Sequence, residues 1–288
     1  MIDTRLETFL ALCKVMNYRK TAELLNMTQP AVTQHIHYLE EKYGCKLFCY
    51  DRRTLTKTRE AELLQTYAEN VMYQEKKLRE ELMHKEGMNL AIGATKTIGE
   101  YVMAEHVSAF LEKEGNGLSV MVENTEKLLA ELAAGKLDFA LVEGFFDRSR
   151  YASKLYRKEP FVGLCSVNHP FAHRRIEIDE IWKETLILRE EGSGTRNILE
   201  QLLTERNHSF SEFERIVTVS NFGLITKLLE RSDGITFAYR AVGERNGALA
   251  EFCVKEWEIF REFNYVYLDT TYSAEAVAVF DSFRQRVD

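Results

Sequence analysis

Proline is almost missing from this chain, with 3 in 288 residues, and glycine stands at 15. So little of either leaves no room for a low-complexity linker. No apolar run approaches the roughly 20 residues that a membrane-spanning helix needs. The opening MIDTRLETF has no basic-then-apolar leader pattern. A cytoplasmic chain without membrane attachment is expected. Cysteine is sparse and unpatterned: Cys13, Cys45, Cys49, Cys165 and Cys253 are odd in number and include no CxxC pair. That excludes an obvious zinc ribbon and a secreted disulfide framework. The thiols should serve as small buried hydrophobes. Catalytic signatures are lacking as well. The seven histidines are dispersed, and no GxSxG elbow, Walker A loop or complete dinucleotide fingerprint occurs. Neither enzyme activity, nor metal, nor a resident cofactor is expected.

Charge is present but uneven. The formal net charge is −7, yet residues 1–59 hold ten Lys or Arg against six Asp or Glu. That segment is +4 and the remainder −11. A basic module on an acidic body is the pattern to explain.

Within the basic module, Leu6, Phe9, Leu10 and Cys13 recur at helical spacing, so residues 4–15 form an amphipathic helix. Residues 18–25 supply a second helix, and Asn26-Met27 the turn. Thr28 is a natural N-cap, Pro30 sits where its missing N–H is harmless, and a third helix runs over 29–42 to Gly44. Its apolar stripe is Val32, Ile36 and Leu39; its other face shows Thr28, Gln29, Pro30, Thr33, Gln34 and His37. Such short polar groups suit base edges in the major groove of double-stranded DNA. Gln can match adenine, and Thr can bond a base or cover the thymine methyl. Arg19, Lys20, Arg52 and Arg53 flank this face and would meet phosphates. On the helix pattern alone, a protein-binding three-helix bundle competes with this reading.

The string TAELLNMTQPAVTQHIHYLEEKYGCKLF, residues 21–48, favours DNA. It resembles the winged helix-turn-helix of LysR-type transcriptional regulators, through Thr21–Leu25, Thr28–Thr33, Leu39-Glu40, Gly44 and Leu47-Phe48. The resemblance implies a DNA-binding head at 1–58.

From Arg59 to about Lys85 there is neither Pro nor Gly. About 27 residues of helix would be roughly 40 Å long. Leu64, Val71 and Leu78 recur every seven residues, with Leu82 beside them, as a seam for a partner helix. Residues 59–87 are therefore expected to be a dimerisation linker. The resemblance implies a homodimer or homotetramer paired through this helix, with RNA polymerase as a further partner.

Beyond Gly87 strands alternate with helices, which implies a mainly parallel α/β body. Strands are expected at MNLAIGA, LSVMVEN, LDFALVE, FVGLCSV, TLILRE, RIVTVS and GITFAY. Helices are expected at 98–113, 125–134, 194–206, 221–231 and 273–286. Two loops, Ala94–Gly99 and Glu191–Arg196, follow strands and open helices, where ligands of such folds bind. Here too the sequence resembles the LysR-type family, through IGATKTIGEYVMAEHVSAFLEKE, GKLDFALVEG and LREEGSGTR. The likeness is to the branch with sulfur-assimilation and carbon-fixation regulators. It implies a two-lobed, periplasmic-binding-protein-like effector domain over 88–288. Lobe I would be about 88–162 and 267–288, and lobe II about 163–266. The implied cleft residues are Thr95, Lys96, Thr97, Asn124, Thr125, Glu143, Gly144, Ser193, Thr195, Asn221 and Phe222. Helix starts, hydroxyls and the cations Lys96 and Arg196 favour a small anionic metabolite, whose closure of the cleft would act through Gly87. A redox sensor of the same fold using Cys165 and Cys253 is the alternative.

Overall fold

The computed structural model describes residues 3–52, 54–82 and 87–284. The head holds α1 (Thr4–Val15), α2 (Tyr18–Leu24) and α3 (Gln29–Tyr43), followed by strands β1 (Phe48–Asp51) and β2 (Thr54–Lys57). Each boundary has a local cause. Asn17 Oδ1 accepts from Lys20 N–H at the start of α2, and Thr28 caps α3 with Pro30 in its first turn. Gly44 ends α3 in the left-handed conformation (φ 66°), which glycine adopts without a Cβ clash. Phe9, Leu12, Ile36, Leu39 and Leu47 are at most 2% exposed and form the core. The antiparallel pair β1–β2 is the wing, with Arg52 at its tip. Glu40 fastens α3 to that wing. Its carboxylate accepts from Lys46 Nζ (2.6 Å) and from the backbone N–H of Leu47 (3.0 Å). Burial pushes this carboxyl up, but those two bonds more than offset it and hold it below the usual range.

The linker helix α4 (Arg59–Leu82) follows directly; residues 83–86 of the expected linker lie outside the described residues. Thr58 defines its start: the hydroxyl accepts from Ala61 N–H (3.1 Å) and faces the carbonyls of Lys46 and Leu47. Ala61, Leu64 and Ala68 pack into the head's own core.

The body opens with β3 (Asn89–Ala94), α5 (Lys96–Tyr101), α6 (Ala104–Leu111), β4 (Gly117–Val122), α7 (Thr125–Ala133) and β5 (Phe139–Val142). The single helix expected at 98–113 is two, because the chain turns at Val102-Met103 to bury Met103. Next come β6 (Ala152–Ser166), β7 (Arg175–Ile176), α8 (Ile178–Ile181), β8 (Thr185–Arg189), α9 (Gly194–Thr204), β9 (Arg215–Val219) and α10 (Phe222–Leu229). The last are β10 (Thr236–Tyr239), β11 (Leu249–Val254), β12 (Ile259–Tyr267) and α11 (Thr271–Ser282).

One sheet runs β4-β3-β5-β12-β6-β11-β7, with β10 also on β6, and β8-β9 form a second. Pairs β3–β4, β3–β5, β8–β9 and β7–β11 are parallel, as expected of crossover units. Every strand on β6 is antiparallel, and so is β5–β12. The reason is topological. The 15-residue β6 leaves lobe I for lobe II and β12 returns beside it, so the two must run in opposite directions. No helix of the described residues is long and apolar enough to cross a membrane.

Candidate DNA-reading face and effector cleft

On the head, Thr28, Gln29, Pro30, Gln34 and His37 are exposed along one side of α3, and Thr33 is half-buried. The Thr33 hydroxyl donates to Gln29 O (3.1 Å), which leaves the oxygen free to accept. His37 Nδ1 lies 3.4 Å from Glu40 Oε2, so this ring is partly tethered to its own helix. Arg19 and Lys20 are exposed at the start of α2, with Arg19 Nε on Glu23 (3.2 Å). Arg52 is exposed at the wing tip, whereas Arg53 lies outside the described residues. The side-chain chemistry separates two kinds of mutant. Gln34→Ala should cost about 1–3 kcal/mol at the specific site and little on random DNA. Arg52→Ala should weaken all sequences alike and flatten the salt slope. Gel-shift titrations on operator and random duplex check both; equal losses for Gln34→Ala on the two would rule out base reading.

Along α4 the four expected seam residues divide. Leu64 is 9% exposed and belongs to the head's core, so it cannot meet a partner. Val71 is half-buried, while Leu78 and Leu82 are exposed. The face that stays open adds Leu63 and Tyr67, 66% and 57% exposed. Spacing of four residues from Leu63 through Tyr67 to Val71 was the signal for this stripe; the strict seven-residue count shifted it by one. A cavity of about 510 Å³ lies beside the stripe, between Val71 and Leu78 of α4 and Leu137, Leu268 and Tyr272 of the body.

The adjoining side of α4 is fastened to lobe I. Lys77, 6% exposed, donates to Asn89 O (2.7 Å) and pairs with Asp138 Oδ2 (3.3 Å). The Tyr73 hydroxyl donates to Asp138 Oδ1. Asp138 also accepts from Ala91 N–H (2.6 Å). Gly135 permits this approach: its φ is +68°, and a Cβ there would lie 2.8 Å from Asn70 Cα. Gly87 was expected to act as the pivot. Instead α4 is joined to lobe I ten residues before the chain reaches it, and a Cβ at Gly87 would sit 2.1 Å from the Gly115 carbonyl carbon. Close packing and a φ of +88° are the reasons for that glycine.

In the body, helix starts from both lobes meet. Thr95 and Ser193 occupy the N-cap positions of α5 and α9, yet neither side chain caps its helix. Both are buried, as are Thr97 and Thr195. Ser193 Oγ pairs with Thr195 Oγ1 (2.9 Å) instead. Lys96 reaches across to Glu190 (3.7 Å), whose carboxylate is gripped by Arg189 at 2.7 and 3.0 Å. Arg196 donates to Arg189 O (3.3 Å) and lies 3.7 Å from Glu191. The residues missed by sequence reasoning are Arg189, Glu190 as a bridge between the lobes, and Tyr239. Nothing in the linear pattern marks them, since Arg189 and Tyr239 end strands that read as plain core.

Other expected cleft residues have structural duties. Asn124 and Asn221 cap α7 and α10 with their side-chain oxygens. The Thr125 hydroxyl faces Gly144, where a Cβ would come within 3.1 Å. Phe222 is 1% exposed, in contact with Tyr101 and beneath the Arg189 guanidinium, so its ring is core rather than cleft lining.

Glu143 directly follows β5 and faces this junction. Oε1 accepts from Thr97 Oγ1 (3.2 Å), and Oε2 is shielded without a partner among the described residues. Burial pushes the carboxyl up to about 7, against the opposing pull of the Thr95 and Thr97 hydroxyls and of Arg189. Nearby Tyr239 is raised well above its ordinary value, by burial first and by the Glu143 charge second. The folded state thus holds a proton on Glu143 that the unfolded chain releases near 4.5. Stability from this group is whole below about 4.5 and is lost as pH rises to about 7. Glu143→Gln should therefore melt with the wild type near pH 4.5 and above it at pH 7.5, as read by thermal denaturation across pH. Parallel melting curves would show an ordinary carboxyl.

Residues 4–62 match the family described as bacterial regulatory helix-turn-helix protein, lysR family, and residues 85–287 match the LysR substrate binding domain. The chain belongs to the LysR family of transcriptional regulators. It is 29% identical to the HTH-type transcriptional regulator CysL of Bacillus subtilis over 205 residues, which is 69% of this chain and 68% of that one. It is 27% identical to the RuBisCO operon transcriptional regulator of Allochromatium vinosum over 210 residues, 71% and 69% of the two chains. A full-length OxyR variant from Pseudomonas aeruginosa has the same fold, with a TM-score of 0.71 at 20% identity, covering 98% of this chain and 94% of that one. The Synechocystis PCC6803 CcmR regulatory domain in complex with 2-PG aligns at a TM-score of 0.59 and 19% identity, over 68% and 97%.

As a LysR-type regulator, the protein joins a winged helix-turn-helix head for DNA to an α/β body for a small-molecule effector. The cysteine-sensing alternative finds little support in its geometry. Cys165 is fully buried, its Sγ lies 3.6 Å from Ala250 O, and burial pushes the thiol up to about 11. A thiol held protonated is a poor nucleophile toward oxidants. Cys253 stands three residues beyond Ala250, the cross-strand neighbour of Cys165, and alternation turns it to the other face.

Proposed function

We propose that this cytoplasmic regulator, which carries no enzyme activity, reads DNA as a homo-oligomer and changes its operator contacts when a small anionic metabolite enters the cleft between the lobes. The head would occupy 1–58, the linker 59–87 and the effector domain 88–288. Thr28, Gln29, Pro30, Thr33, Gln34 and His37 would face bases, and Arg19, Lys20, Arg52 and Arg53 phosphates. Val71, Leu78 and Leu82, with Leu63 and Tyr67, would form the pairing seam. RNA polymerase would be engaged from the promoter-bound oligomer.

The observation that carries the effector reading is the pair of buried hydroxyls, Thr95 and Ser193, at helix starts on opposite lobes and unused as caps. A ligand whose polar groups reach both would join the lobes. Ligand binding can shift the DNA-bound arrangement only if the open and closed forms bind it unequally. Thr95→Val with Ser193→Ala should abolish effector-dependent change in the operator footprint and leave basal binding intact. A panel of small organic acids and organic phosphates, screened by thermal shift, supplies the probe. Unchanged calorimetric affinity of a panel hit for the double mutant would place the ligand elsewhere.

A further inference from the structure

We infer that the effector carries an amino group as well as an acidic group, with the ammonium held by Glu143, Thr95 and Tyr239 and the acid at the start of α9. This rests on the cleft reading above and narrows the class of ligand.

Three shielded polar atoms make no hydrogen bond of good geometry among the described residues, although the Thr95 hydroxyl lies near enough to Glu143 to pull its carboxyl down: Thr95 Oγ1, Glu143 Oε2 and Tyr239 Oη. Thr95 and Tyr239 are 4% and 0% exposed. The first two come from lobe I, and Tyr239 ends β10 on the other side of the β6 crossing. Buried polar groups are rarely left unmet, because their lost hydration is not returned. All three can accept, and a primary ammonium has three N–H donors to give.

Charge favours the same occupant. Arg189 and Lys96 are both engaged with Glu190, and Arg196 with Glu191 and a backbone carbonyl. No cation hydrogen-bonds to Glu143 among the described residues, and the Arg189 charge reaches it only through space. Opposite it, α9 is 11 residues long and lacks a side-chain cap. The first-turn N–H groups of Gly194, Thr195 and Arg196 have no hydrogen-bond acceptor among the described residues, which suits an acid oxygen. A second acid on the ligand would be set against Glu143. A hydroxyl in place of the amine would offer Glu143 no positive charge, and the carboxyl would keep its proton instead.

The test uses full-length protein and the proteinogenic amino acids with a primary amine, each beside the 2-hydroxy acid of the same side chain. Thermal shift finds binders and calorimetry measures them. At least one amino acid should bind, and its hydroxy acid should bind about ten- to a hundredfold more weakly. Glu143→Gln should weaken the amino acid by a similar factor, and Tyr239→Phe by a smaller one; the second variant keeps the test open if the first folds poorly. The inference is overturned if no amino acid binds, if the hydroxy acid binds equally well, or if both variants bind as the wild type does. A ligand lost in Thr95→Val/Ser193→Ala but indifferent to Glu143→Gln and Tyr239→Phe leaves the cleft reading standing and removes only the amine. A ligand indifferent to all of these variants removes both.

Discussion

Asp138→Ala should destabilise the protein by roughly 3–5 kcal/mol, as breaking one side of a buried ion pair does. The Asp138 carboxylate receives Lys77, the Tyr73 hydroxyl and the Ala91 N–H at once. Removing it strands the Lys77 ammonium, left with the carbonyl of Asn89, in a place 6% exposed to water. Lys77→Met with Asp138→Leu should recover much of the loss, because the cost lies in the unpaired charge rather than in the absence of a favourable pair. Urea titrations of wild type, single and double variants measure this cycle. A loss below about 1 kcal/mol for Asp138→Ala would mean that water reaches Lys77 and that α4 is only loosely held to lobe I.

Leu78→Glu with Leu82→Glu should give smaller species by light scattering and a loss of operator affinity of about a hundredfold or more, since two linked heads bind far more tightly than one. The two leucines are 52% and 68% exposed, so the substitutions disturb little within one chain. In a pair they would set carboxylates into an apolar seam and against the cavity beside Val71. Leu64→Glu is the contrasting change. It should unfold the head, where Leu64 packs with Phe9 and Ala68, rather than separate subunits. Unchanged particle size in the Leu78/Leu82 variant would exclude this face as the pairing surface.

The head was almost fully legible in the sequence, because its information is local. Helix periodicity, the cap Thr28, Pro30 in the first turn and Gly44 after the last are each decided within a few residues. Seven strands of the α/β body were legible for the same reason, whereas β7, β11, β12 and the first half of β6 were not. Its antiparallel crossings were not, since β6 and β12 carry no mark of the direction of their neighbours. The α4 seam shows the limit most plainly. A seven-residue repeat finds an apolar stripe, but which edge of it the head covers depends on where α1 and α3 lie, and that excluded Leu64.

The sequence by itself determined the three helices of the head, the polar reading face of α3 and the hydroxyl-bearing loops at 94–99 and 191–196, all through short-range spacing and capping chemistry. Tertiary structure alone decided which charges remain unmatched. Arg189 and Lys96 are drawn to Glu190, Lys77 is closed onto Asp138 across 61 residues of chain, and Glu143 is left beside Thr95 and Tyr239 with no cation in hydrogen-bond contact among the described residues. Pairing of charges depends on distance in space and on exclusion of water, and neither is written in the order of residues.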